Sequence, residues 1–155
     1  MLCGITNTKD MKEASFRLEN YRFEKVEMDL SANTGGIGIS IEPSGIYHPT
    51  TGQYDLSFAF NALRKTDEQP FIYILCKACF VFKEPVAFEE IPNYFYLNSI
   101  AILFPYIRAF VSIITLQANI NALVLPTMNL ASLQETLKEN TKVWDDEKGE
   151  AIPNA

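Results

Sequence analysis

One apolar run constrains this chain more than any other feature. Between Ser99 and Asn121 the only charged residue is Arg108. At helical spacing Leu103, Ile107, Phe110 and Ile114 form one stripe, and Ile102, Tyr106, Ala109, Ile113 and Leu116 form a second beside it. Arg108, Ser112 and Thr115 leave only a thin polar seam. A helix of this kind needs cover on nearly every side, and one small domain supplies cover on one side only. The rest comes from a bilayer or from other copies of the chain. The segment Ile100 to Leu116 falls short of the roughly twenty apolar residues that a spanning helix needs, and it holds an arginine near its middle, where charge is costly. The sequence therefore favours an oligomer interface, with Tyr106, Ala109, Ile113 and Leu116 as its candidate residues, over membrane insertion.

The rest of the chain reads as one domain. Its 155 residues suit a single core that needs no disulfide or metal. Hydrophobic residues make up 48% and charged residues 21%, a globular rather than a disordered balance. Eleven Phe and seven Tyr are many for this length and predict adhesive surface beyond an ordinary core. A net charge of −6 argues against nucleic acid as a partner, because phosphate binding needs concentrated Lys and Arg. The odd count of three cysteines implies no disulfide framework and fits a reducing cytoplasm. Met1 to Ser15 has no apolar core of a signal peptide. The expected organisation is a loose arm over 1–15, one domain over 16–140, and a flexible acidic tail over 141–155.

Hydrophobic periodicity predicts four strands before the apolar helix. In the first, Phe16 and Leu18, then Tyr21 and Phe23, then Val26, Met28 and Leu30 alternate with two slips of phase, each the mark of a bulge or bend. Ile37, Ile39 and Ile41 form a second strand, and the Pro/Gly/Thr-rich stretch from Pro43 to Gly52 reads as a loop. Tyr54 to Ala62 alternates cleanly. Pro70 to Phe82 is apolar on both faces, with Lys77 the only polar member of its second face, so both faces are expected to be covered. Short connections predict an antiparallel sheet. Lys83 to Asn98 is an aromatic crossover, of a length that is often functional. Leu125-Pro126-Thr127-Met128-Asn129-Leu130 is a turn, with Asn129 as the N-cap of a second helix carrying Leu130, Leu133 and Leu137.

Catalytic chemistry finds little to stand on. Cys76-Lys77-Ala78-Cys79 has redox or zinc spacing, but in a strand residues three apart point to opposite faces. A zinc site would need further ligands, and the chain has one other cysteine, Cys3, and one histidine, His48. His48 lies in the Pro/Gly stretch with no nucleophile elbow near it. Gly35-Gly36-Ile37-Gly38 leads into a strand where a phosphate loop would lead into a helix. Glu89-Glu90 and Asp145-Asp146-Glu147 read as solvated charge. No enzyme, metal or cofactor is expected. The aromatic crossover and the two-faced fourth strand are read either as plain core or as an apolar groove for extended peptide or a small apolar ligand.

Ile102-Leu103-Phe104-Pro105-Tyr106-Ile107-Arg108, the apolar helix after it, and Leu125-Pro126-Thr127-Met128-Asn129-Leu130 resemble the core signature of the SecB family of bacterial protein-export chaperones. The order of four strands, aromatic crossover and two helices is similar as well, so that the resemblance covers about Phe16 to Asn140. It implies an α+β protomer with a four-stranded antiparallel sheet and both helices on one face. It also implies a cytoplasmic homotetramer, a dimer of dimers with the long helices between sheets. Such a protein holds non-native preproteins without ATP and delivers them to the SecA translocation motor. The client groove that it implies here contains Phe88, Tyr94, Phe95, Tyr96, Leu123, Leu125, Met128 and Leu133. SecB proteins dock SecA partly through acidic residues on the sheet. Those positions fall on Lys25, Ile74 and Asp29, and only Asp29 keeps the acid. SecB-like chaperones also guard antitoxins, which leaves that role open beside export.

Overall fold

The computed structural model describes residues 15–31, 37–64 and 69–154. The arm expected over 1–15 lies outside the described residues except for Ser15, as do Gly35 and Gly36.

Four long strands alternate in and out of a common core. They are β1 (Phe16–Met28), β2 (Ile37–His48), β3 (Gln53–Arg64) and β4 (Ile72–Phe82), paired antiparallel as β1 with β4, β4 with β3 and β3 with β2. The two phase slips of β1 are two bulges, between Leu18 and Asn20 and between Phe23 and Lys25. Each inserted residue resets the alternation, so Phe16, Leu18, Tyr21, Phe23, Val26 and Met28 all partner core-facing positions of β4. On β4 the face made by Ile72, Ile74, Cys76, Ala78, Phe80 and Phe82 is buried. Tyr73, Leu75, Cys79 and Val81 on the other face are only half-buried, in contrast to the expected double cover.

The second strand runs well past its predicted end. Pro43 does not break it, because the Pro43 carbonyl accepts a hydrogen bond from Asn140 Nδ2 at 3.2 Å on the side away from β3. The nitrogen of the same residue points that way too, so its missing N–H takes nothing from the β2–β3 ladder.

Among the described residues the sheet has six strands rather than the expected four, in the order β1-β4-β3-β2-β5-β6. Within the stretch over 141–155 expected as a flexible tail, residues 141–153 instead form β5 (Thr141–Asp145), parallel to β2, and β6 (Glu150–Pro153), antiparallel to β5. Local chemistry accounts for the difference. Thr141 is buried, with its hydroxyl 2.6 Å from the Tyr54 hydroxyl and 2.7 Å from the Leu137 carbonyl. The acidic residues that suggested a tail make the hairpin turn. Asp145 Oδ1 accepts the backbone N–H groups of Glu147 and Lys148, and Gly149 takes the positive φ of 66° that closes the turn.

Helix α1 (Asn93–Gln117) lies on the core face of the sheet, followed by an irregular segment over 118–132 and the short helix α2 (Leu133–Glu139). It begins earlier than predicted and absorbs the crossover from Asn93 onwards. Phe95, Ser99, Leu103, Ile107, Val111 and Thr115 are buried along its inner side. By length and composition α1 could cross a membrane, with a mean hydropathy of 1.9, but its inner side is part of the domain core. Pro105 lies inside the helix on an exposed turn, where the Ala101 carbonyl that loses its donor can meet water. Asn119 ends the helix at φ 63°, a left-handed position that Asn tolerates.

Candidate functional site

Two surfaces could take a partner: the surroundings of the crossover and the 118–132 segment, and the outer side of α1. The crossover is pinned to the sheet by Tyr47, whose hydroxyl donates to the Val86 carbonyl at 2.6 Å and accepts the Val86 N–H at 3.2 Å. Burial raises the Tyr47 pKa, which keeps this hydroxyl protonated. The far end of α1 is pinned by Thr115. Its buried hydroxyl donates to the Val111 carbonyl at 2.8 Å and accepts the Leu123 N–H at 2.8 Å, turning the chain back along the helix. The segment then runs extended, with Leu123 half-buried, Val124 exposed at 69% and Leu125 buried.

The residues assigned to a client groove divide into two groups. Phe88, Leu123, Met128 and Leu133 are half-buried against the core, and Tyr94 is exposed at 50%, its hydroxyl 3.0 Å from that of Ser15. Phe95, Tyr96 and Leu125 are instead buried in the core. The early start of α1 turns Phe95 and Tyr96 inward, where Phe95 packs edge-on against Tyr54 at a ring-centroid distance of 4.7 Å. Burial pushes the Tyr96 pKa up to about 12.

Two depressions flank α1. One of about 570 Å³ is lined by Ser15, Phe16, Tyr94, Asn98, Ala101 and Ile102. The other, of about 430 Å³, lies at the C-terminal end of α1 between Leu30, Phe71, Ile120 and Leu123, with Asp29 on its rim. Tyr94 and Leu123 therefore line different depressions. Sequence reasoning missed Ile120 and Val124, exposed apolar residues of the irregular segment. Leu123, Val124 and Leu125 are all apolar, so the sequence carries no alternation that separates the exposed Val124 from its neighbours.

On the outer side of α1, Ile102, Tyr106, Ala109, Ile113 and Leu116 stay exposed, with Ile113 at 63% and Leu116 at 65%. Tyr106 also stacks on exposed Tyr21 of β1 at 4.4 Å, so that the apolar strip continues from helix to strand. The four residues assigned to an oligomer interface all belong to this strip.

The three candidate docking positions are dispersed. Asp29 is exposed, and hydrogen bonds from the Ser31 hydroxyl and N–H hold its carboxyl below the usual range. Lys25 pairs with Glu27 at 3.2 Å. Ile74 is buried on the core face and cannot belong to an outer docking surface. Along β1, the pairs Arg17–Glu19 at 3.1 Å and Arg22–Glu24 at 2.7 Å give this edge strand alternating charge, which discourages indiscriminate edge pairing.

Cys76 and Cys79 occupy opposite faces, Cys76 buried and Cys79 half-exposed. Burial pushes the Cys76 thiol up to about 11, and burial followed by nearby Asp55 raises Cys79, so neither is an activated nucleophile. Among the described residues no cluster of His, Cys, Asp and Glu could hold a metal.

No protein-family model matches the sequence. Over 65 residues, 39% of this chain, it is 40% identical to the uncharacterized protein MJ0357 of Methanocaldococcus jannaschii, and the chain spans 42% of that protein's length. In three dimensions it superposes on the Mycobacterium tuberculosis SecB-like chaperone Rv1957, solved in complex with a ChAD peptide from the Rv1956 HigA1 antitoxin. That match covers 74% of this chain and 88% of the other, with a TM-score of 0.59 and 18% identity. The fold is SecB-like. The resemblance carried by Ile102 to Arg108 and Leu125 to Leu130 is thus matched in architecture, with β5 and β6 extending the expected SecB-like sheet.

Proposed function

We propose that this protein is an ATP-independent holding chaperone that binds extended, non-native polypeptide. The observation that carries the reading is uncovered apolar surface on a SecB-like fold. Tyr94 is exposed at 50% and Val124 at 69%, beside the half-buried Phe88, Leu123, Met128 and Leu133. Water makes such surface unfavourable unless something covers it. In this reading Tyr94, Phe88, Leu123, Met128 and Leu133 contact client, and Ile102, Tyr106, Ala109, Ile113 and Leu116 meet another copy in a tetramer. A cytoplasmic setting suits free cysteines on opposite faces of one strand.

Guarding an antitoxin is favoured over preprotein delivery to SecA. Rv1957 was captured with an antitoxin peptide. Of the three docking positions implied for SecA, one is Lys25 and another, Ile74, is buried. The test is binding of one client in two forms. A permanently unfolded variant should bind and its native form should not. Equal binding of both, or saturable uptake of a fatty acid with no affinity for unfolded chain, would reject holding in favour of a small-ligand module.

A further inference from the structure

The chain has one histidine and one tryptophan, and the fold brings them together. His48 ends β2, and Trp144 lies on β5 just past the Tyr47–Val143 pairing. Their ring centroids are 5.4 Å apart, with planes inclined by 32°. His48 Nε2 lies 3.0 Å from Asp55 Oδ2 on β3. The other oxygen of Asp55 accepts a hydrogen bond from Gln53 Nε2 at 2.8 Å, which fixes the carboxylate and through it the imidazole. A second tie joins the same regions, with Thr50 Oγ1 donating to Asp146 Oδ2 at 2.7 Å.

We propose that His48, Asp55 and Trp144 form a pH-sensitive clasp that seats the β5–β6 hairpin on the sheet. Imidazole side chains change charge between pH 5 and 8. The protonated ring makes a charge-assisted hydrogen bond to Asp55, which holds its orientation more firmly. It also presents a cation to the indole, the best aromatic partner for one. The indole contact exists only when the hairpin is seated, so proton binding and seating favour each other. Other charged groups on the hairpin are Lys142, opposite Ile46, and Lys148 in the turn, which oppose the effect, and Asp145, Asp146, Glu147 and Glu150, which reinforce it. Cys79 pairs with Asp55 across the strands and stays a neutral thiol in this range. Seating is therefore tightest at the acid end and loosens as pH rises. β5 follows α2 directly, so the clasp restrains the segment that anchors this helix.

Trp144 reports on the clasp itself. In the full-length protein its emission should change sigmoidally between pH 8 and 5.5, and H48Q, which keeps a donor for Asp55, should abolish the change. Amide exchange across the β2–β5 pairing, taken as the ratio of wild type to H48Q at each pH, should slow about twofold to fivefold over the same descent, as a cation–π contact implies. W144L, followed by exchange alone, should lose that dependence with His48 in place. A flat wild-type titration, the same titration in H48Q, or an undiminished pH dependence in W144L would overturn the proposal.

Discussion

Phe95 packs against Phe16, Tyr54 and Phe82 at centroid distances of 4.8, 4.7 and 4.8 Å, which ties α1 to three strands at once. Phe95→Ala should lower unfolding free energy by about 3–5 kcal/mol in denaturant titrations, the cost of an aromatic-sized cavity. Gly45 has a different kind of constraint. A Cβ there would collide with the Tyr54 hydroxyl, which must pass to reach Thr141. Gly45→Ala should cost about 1–3 kcal/mol through overpacking, and amide exchange should show β5 loosening before the other strands. Tyr96 sets an alkaline limit. Its folded pKa is raised by burial to about 12, against about 10 for an unfolded tyrosine. The unfolded state therefore releases its proton first, and stability is intact below pH 10 and falls as pH climbs from there towards 12. Thermal midpoints across that range should fall less steeply in Tyr96→Phe.

Elements were legible in the sequence where side-chain period decided them. The clean alternation of β3, the two bulges of β1 and the inner apolar stripe of α1 all follow from burial on one face. Where a partner far along the chain decided the outcome, the local signal misled. Pro43 and Gly45 look like loop residues until Asn140 and Tyr54 explain them, one by donating to an otherwise unused backbone carbonyl and the other by demanding space. Thr141 gives no local hint of a strand, because one of the two partners of its hydroxyl is Tyr54, 87 positions away. The candidate groove was half legible for the same reason. Aromatic composition marked the crossover, but the helical phase that buries Phe95 and Tyr96 and leaves Tyr94 outside depends on where α1 begins. The outer strip of α1 carries its own prediction. Ile113→Asp with Leu116→Asp should leave circular dichroism unchanged, since both side chains are exposed, while light scattering should show a shift from a multiple of 17.5 kDa to that mass. An unchanged assembly would place the subunit contact elsewhere.

At the scale of the whole molecule, the sheet and α1 close one core and leave a second apolar surface open. Helix α1 serves both, its inner side packed on the strands and its outer side in solvent. A net charge of −6 favours basic partners over acidic ones. The most direct test of the chaperone reading is aggregation of a chemically unfolded client diluted into buffer without nucleotide, followed by turbidity. A stoichiometric amount of this protein should delay or suppress the rise, and addition of ATP should change nothing. Turbidity that rises unaltered at stoichiometric excess would contradict the account.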